Sequence, residues 1–171
     1  MKTDFLNTPT DHERRAHEDH HASLRLWLRL LSCTTLVENK IRHNLKHGFE
    51  MSLPRFDLMA QLERHQEGLT MGELSKRLMV SGGNITVIVD QLEQEQIVQR
   101  QATLGDRRSY RVVLTKHGRQ AFKKMALAHE AWVVELFSSL SAHEQAQLHQ
   151  LLGKLKQGIY AFESFTSSEL A

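Results

Sequence analysis

The sequence predicts a mainly α-helical chain with a small β-hairpin, in which long helices at both ends flank a compact helical lobe. Three observations carry this. Apolar residues recur at a 3.6-residue period, as in Ile85, Ile88, Val89 and Leu92, which stand at i, i+3, i+4 and i+7. Two short β-branched runs, Ile97-Val98 and Val112-Val113-Leu114, bracket ATLGDRRSY, where Gly105 and Asp106 supply hairpin turn chemistry. The chain also has only 2 prolines and 9 glycines, too few for a loop-rich or disordered protein. Paired short helices followed at once by a basic-tipped hairpin predict a winged helix-turn-helix with long N- and C-terminal dimerisation helices.

Length and composition bound the reading. The 171 residues suit one domain with extra helices and can bury a real core. No early apolar run follows a basic segment, so no secretory signal is expected. The longest apolar stretch, Leu24 to Val37, is interrupted by Arg25 and Arg29 and is too short to span a bilayer, so no membrane partner is expected. The single cysteine excludes an internal disulfide framework and fits a reducing cytoplasm.

In chain order, residues 1–21 are polar and aperiodic and read as a mobile arm. His12, His17, His20 and His21 have helical metal-ligand spacing, but no cysteine or carboxylate set completes a site, so a solvated tail is the better reading and no metal is assigned. Residues 22–52 hold a long helix over Leu24 to Leu45. It is apolar nearly all round and therefore must be covered on several sides, including by a second subunit. Gly48 is expected to end it or the fraying turn after it. Residues 53–116 form the helix-turn-helix lobe. Pro54 opens a helix with Phe56, Met59 and Leu62 inward, and Thr70 with Glu73 has the spacing of a capping box. Leu69 and Leu74 have that of a hydrophobic staple, and the helix they begin buries Leu74 and Leu78. Residues 117–171 hold two further helices, the first capped by Thr115, the second by Ser141 with Glu144. Leu148, Leu151, Leu152, Leu155, Ile159 and Phe162 form a stripe with no domain left to cover it, so a homodimer is expected.

Charge is distributed unevenly. Between Met71 and Lys124 there are ten Lys and Arg against five Asp and Glu, or +5, while the remainder carries twelve against fifteen, or −3. A concentrated basic segment is the expected footprint of phosphate contact. Within it, the helix beginning at Ser81 shows Gly82, Gly83, Asn84, Thr86, Val87 and Gln91 on the face away from its apolar stripe. Two glycines at a helix N-terminus let the backbone approach a phosphate, where N–H groups favour an anion. Asn84 and Gln91 can pair bidentately with adenine, and Thr86 can touch a thymine methyl. Arg107 and Arg108 suit phosphate or a narrow minor groove. The competing reading is that the glycines only shape a turn and that Gln91 is solvated.

The segments LPRFDLMAQLER, LTMGELSKRLMVSGGNITVIVDQLEQEQIVQR and GDRRSYRVVLTKHGR resemble a MarR-type (multiple-antibiotic-resistance-regulator) transcription factor, a likeness running from about Leu24 to Ser164. The resemblance implies six helices and a hairpin, and a dimer on a pseudo-palindromic operator in double-stranded DNA. It also places Ser81 to Gln91 in the major groove, with Arg108 reaching a minor groove and Asp106 steadying it. Many members carry arginines on the recognition helix where this chain has Val87 and Gln91, so base preference is not legible.

The resemblance further implies a small-molecule effector bound between the dimer helices and the DNA-binding lobe. LRLWLRLLSCTTLVEN is similar to a branch that controls catabolism of aromatic acids and their coenzyme A thioesters. In that branch an arginine of the first helix pairs with the carboxylate, here Arg29 or else Arg25. Trp27, Cys33 and Phe56 are the pocket-lining candidates, and their spacing also fits plain core. A rival sensing chemistry is oxidation at Cys33, but a redox thiol needs exposure and Cys33 sits mid-helix among leucines, where burial is expected. No catalytic constellation or phosphate-binding glycine loop occurs, so neither an enzyme nor a cofactor is expected. A helical protein-interaction module without DNA binding is the more serious rival. Arginines flanking a small polar helix argue against it, because protein-binding surfaces favour exposed aromatics.

Overall fold

The computed structural model describes residues 22–103 and 106–168; the side chains of 103, 106–109 and 162–168 lie outside that description. The proposed arm at 1–21, its histidines, and Gly105 at the hairpin tip are therefore outside the described residues. The elements run α1 (Ala22–Phe49), α2 (Leu53–Arg64), α3 (Met71–Leu78), α4 (Gly82–Gln94), β1 (Val98–Thr103), β2 (Asp106–Leu114), α5 (Lys116–Leu136) and α6 (Ala142–Ser168). The fold is mainly helical with one antiparallel hairpin, as the periodicities predict. It divides into two compact units, residues 1–129 and 130–171.

In the first unit, local chemistry sets each boundary. Pro54 occupies the opening turn of α2, where its missing N–H costs no helical bond. Thr70 and Glu73 form the capping box: the Glu73 N–H donates to Thr70 Oγ1 at 3.3 Å, and the Thr70 N–H donates back to Glu73 Oε2 at 2.8 Å. The Leu69 and Leu74 side chains on either side of it are both buried, as a hydrophobic staple requires. Ser81 caps α4 by accepting from the Asn84 N–H. At its other end α4 closes with the paired bonds of a Schellman motif, Ile97 N–H to the Leu92 carbonyl at 2.8 Å and Gln96 N–H to the Glu93 carbonyl at 3.0 Å. Gln96 takes the left-handed conformation there.

The core is made by Leu45 of α1, Leu58, Met59 and Leu62 of α2, Leu74 of α3, Ile85, Val89 and Leu92 of α4, and Val98, Val112 and Leu114 of the hairpin. At roughly 25 cal/mol per Å² of apolar area, burying such residues is what holds three short helices against a two-stranded sheet that would not stand alone. The hairpin pairs Val98 with Leu114 and Arg100 with Val112, and its register shifts between Ala102 and Thr103. Leu69 adds one more bridge, exchanging backbone hydrogen bonds with Val112 at 3.1 and 2.8 Å. The preceding residue must be Gly68: its φ is +81°, and a Cβ there would lie 2.6 Å from Val113 Cγ1.

Three expectations need correction. Gly48 lies inside α1, which ends one residue later, and Glu50 rather than a glycine takes the left-handed conformation beyond it. Only Ile41 and Leu45 of α1 are buried in the single chain, so Cys33 is exposed instead of enclosed among leucines. Helical spacing places the cysteine on the helix but does not say what packs against that face. Leu78 is only half-buried, because it belongs to the last turn of an eight-residue helix.

The second unit consists of the last turns of α5 and α6. Ser141 and Glu144 form the capping box of α6, with the Ser141 N–H donating to Glu144 Oε2 at 2.8 Å and the Glu144 N–H to Ser141 Oγ at 3.4 Å. Every described side chain of α6 is exposed, including Leu148, Leu151, Leu152, Leu155 and Ile159.

Candidate nucleic-acid interface

Two helices and the turn between them present the predicted polar face. The turn is Met79-Val80-Ser81, with Met79 in the left-handed conformation (φ 53°) and its side chain 90% exposed. Ser75 steadies the turn through its hydroxyl, which donates to the Val80 carbonyl at 2.6 Å. From there α4 buries Ile85, Val89 and Leu92, which turns Gly82, Gly83, Asn84, Thr86, Val87 and Gln91 to solvent. A Cβ built on Gly82 or Gly83 would meet nothing within 4 Å, so the folded chain itself does not require glycine at either position. The Thr86 hydroxyl donates to the Gly82 carbonyl at 3.0 Å, which fixes its rotamer and leaves the methyl as the group available for apolar contact.

The wing begins at the end of the same helix. The backbone of Asp106, Arg107 and Arg108 is the first part of β2, while their side chains lie outside the described residues. Below the tip, arginines hold the scaffold together. Arg111 Nε donates to the carbonyls of Glu67 and Gly68 at 3.2 and 3.1 Å, and its Nη2 lies 3.7 Å from Glu73. Arg100 pairs with Asp90 and Glu93 of α4, and Arg55 of α2 pairs with Glu95 just after α4. Two arginines counted in the basic segment, Arg100 and Arg111, are thus committed within the fold. Sequence reasoning missed this because Arg100 lies 7 and 10 residues from its partners on a different element, and Arg111 lies 38 to 44 residues from its own.

Comparison with known proteins bears on this assembly directly. The MarR family model matches residues 51–110, the stretch that carries α2 through the wing. The uncharacterized HTH-type transcriptional regulator YkoM of Bacillus subtilis is 31% identical over 120 residues, 70% of this chain and 76% of that protein. The crystal structure of a MarR family transcriptional regulator from Silicibacter pomeroyi is 31% identical with a TM-score of 0.68, covering 80% of this chain and 94% of that one. The chain belongs to the MarR family. It is a MarR-family DNA-binding transcriptional regulator. The fold is shared more widely, for example with Sco3205 of Streptomyces coelicolor, a MarR family regulator crystallised in complex with DNA (TM-score 0.72, 22% identity, 83% of this chain and 94% of that one).

The candidate effector residues of this MarR-family chain fall into two places. Arg25, Trp27, Arg29 and Cys33 lie on the exposed N-terminal part of α1. Phe56 is buried in the core, its ring 5.5 Å from that of Phe122 and 5.0 Å from that of His129. Beside it, burial pushes the Asp57 carboxyl above its ordinary value, opposed by the nearby His129 and Arg42 side chains. No span long and apolar enough to cross a membrane occurs among the described helices, and no group of three or more metal ligands occurs among the described residues.

Proposed function

We propose that this MarR-family chain is a homodimeric repressor whose hold on a pseudo-palindromic operator is released by an aromatic carboxylate or its coenzyme A thioester. The observation that carries the DNA part is the exposed face of α4, where Asn84, Thr86, Val87 and Gln91 stand beside a hairpin whose strand opens with Asp106-Arg107-Arg108. Asn84 and Gln91 offer donor–acceptor pairs to adenine, and Thr86 and Val87 offer apolar groups to thymine methyls. Ser81, Gly82 and Gly83 bring the positive end of the helix dipole toward a phosphate. Arg107 and Arg108 contact phosphate or the minor groove, with Asp106 supporting the tip.

Dimerisation rests on uncovered apolar surface. Leu26, Trp27 and Leu36 of α1 and Leu151 and Ile159 of α6 are each more than half exposed in the single chain. Covering such stripes with a second copy removes apolar area from water and sets two recognition helices about one helical turn of DNA apart. On this reading residues 1–21 are an arm, 22–52 and 117–171 the dimerisation elements and 53–116 the DNA-binding lobe. Arg29, or else Arg25, pairs with the effector carboxylate, and Trp27, Cys33 and Phe56 line its site. The effector acts by binding more tightly to the conformation whose half-site spacing does not fit the operator.

Titration of the protein against the promoter DNA flanking its own gene tests this, with and without benzoates, hydroxycinnamates and their coenzyme A thioesters. Salt-sensitive binding released by one of these compounds is the expected result, and absence of binding to any flanking DNA would reject it. The exposure of Cys33 favours a second reading, release by thiol oxidation. Peroxide-induced release in the native protein that is lost in Cys33→Ser would move the assignment there.

A further inference from the structure

The recognition helix carries its acids in an unfavourable place. Asp90 and Glu93 lie in the last five residues of α4, and Glu95 follows directly. Carboxylates near a helix C-terminus meet the negative end of its dipole. Asp90 also follows Thr86 by four residues and Val87 by three, so it stands on the face read above as DNA-facing. An anion there would oppose the phosphates flanking the groove, within the roughly 8 Å over which charges still interact at physiological salt.

Arg100 answers both problems. Its guanidinium forks between the two acids, one nitrogen donating to Asp90 Oδ1 and another to Glu93 Oε2, and its own backbone N–H donates to Glu93 Oε1 at 3.0 Å. The Asp90 hydrogen bond foremost, together with the charge of Glu93, outweighs the cost of burial and holds this guanidinium protonated more firmly than usual. Arg100 sits in β1 and its Cα partner in β2 is Val112, so the same side chain ties the far end of α4 to the stem of the wing. Arg55 supplies a second brace, from α2 to Glu95.

We infer that Arg100 is a positioning residue for DNA binding, masking the charge of Asp90 and Glu93 on the recognition helix while fixing the wing to that helix. This rests on the DNA-binding reading of α4. It predicts that the harm done by removing Arg100 comes mainly from the carboxylates it uncovers, rather than from a lost phosphate contact.

The test compares full-length native protein, Arg100→Met, and Arg100→Met combined with Asp90→Asn and Glu93→Gln, all titrated against the flanking promoter DNA. Arg100→Met should weaken binding by tenfold or more, and neutralising both acids should return affinity to within about threefold of the native protein. Arg100→Lys, which keeps the charge but not the fork, should lose less than Arg100→Met, and it keeps the comparison available should Arg100→Met fail to fold. Thermal unfolding confirms that each variant is folded at the assay temperature. Native affinity in Arg100→Met would overturn the inference. So would a folded triple variant that stays as weak as Arg100→Met, since the uncovered acids would then not be the cause of the loss. Failure of the native protein to bind any flanking DNA would instead defeat the DNA reading itself.

Discussion

Gly118 and Ile97 approach so closely that a Cβ on the glycine would lie 2.0 Å from the Ile97 carbonyl oxygen. The contact joins the first turn of α5 to the start of the wing, and Thr115 completes the joint. Its hydroxyl donates to the Gln96 carbonyl at 2.7 Å and accepts from the Gly118 N–H at 2.9 Å. Gly118→Ala drives a methyl into backbone that has no free rotamer to yield. It is expected to cost about 1–3 kcal/mol or more in urea unfolding, the range of overpacked cores. Gly82→Ala, with open space around it, should leave stability unchanged within roughly 0.5 kcal/mol. If its backbone faces a phosphate, the same variant should still bind DNA more weakly. Equal losses of stability in the two variants would contradict this steric account.

Met79→Gly should stabilise the fold. A β-carbon in the left-handed region costs about 1–2 kcal/mol, and glycine relieves it, less a smaller entropic loss through the unfolded chain. With the side chain 90% exposed, little packing is given up. The expected gain is about 0.5–1 kcal/mol, read as a rise in the urea midpoint with an unchanged slope. A fall in the midpoint would mean that the side chain packs where it stands exposed here.

Acid should weaken the capping box of α3. The Thr70 backbone and side-chain hydrogen bonds hold the Glu73 carboxyl below its ordinary value of 4.5. A depressed folded pKa contributes stability that is complete above the unfolded value and lost as pH falls through the folded one. Glu73→Gln should therefore flatten the pH dependence of stability below about pH 4.5 and lower stability at pH 7, where the carboxylate's contribution is complete. Asp57 runs the other way. Burial raises its pKa, so Asp57→Asn should remove a contribution that is present in acid and fades as pH rises through the folded value. Unfolding curves from pH 3 to 8 check both signs.

Arg108→Ala should lower affinity for all DNA sequences alike and reduce the slope of log K against log salt by about one. A change confined to one operator sequence would point to base contact instead.

Arg29→Ala should spare operator binding and abolish release by the aromatic effector. Normal release in that variant would remove Arg29 from the effector site, and the same test on Arg25 would follow.

Much of the fold was legible because it is local. The Thr70–Glu73 and Ser141–Glu144 boxes, Ser81 as a cap, Pro54 at a helix start and the Ile85, Val89 and Leu92 stripe all depend on residues within one or two helical turns. The polar face of α4 followed directly, since burying one stripe of a helix exposes the other. Two misreadings have the same local origin. The end of α1 is closed by Glu50 because a left-handed residue need not be glycine when the chain after it, at Met51, is drawn into the core. Cys33 was assigned to a buried face because an apolar helix signals that something must cover it, without saying what.

By itself, then, the sequence determined the order of elements, their caps and the face that α4 turns to solvent, because short-range hydrogen bonds and periodic burial set these. Only the tertiary structure decided which arginines are committed within the fold. Arg100 and Arg111 look no different from Arg107 and Arg108 in a charge count, yet folding brings Arg100 against Asp90 and Glu93, and Arg111 against the Glu67 and Gly68 carbonyls. The physical reason is that an ion pair depends on distance in space, and a hairpin returning along a helix creates proximities that no sequence repeat encodes.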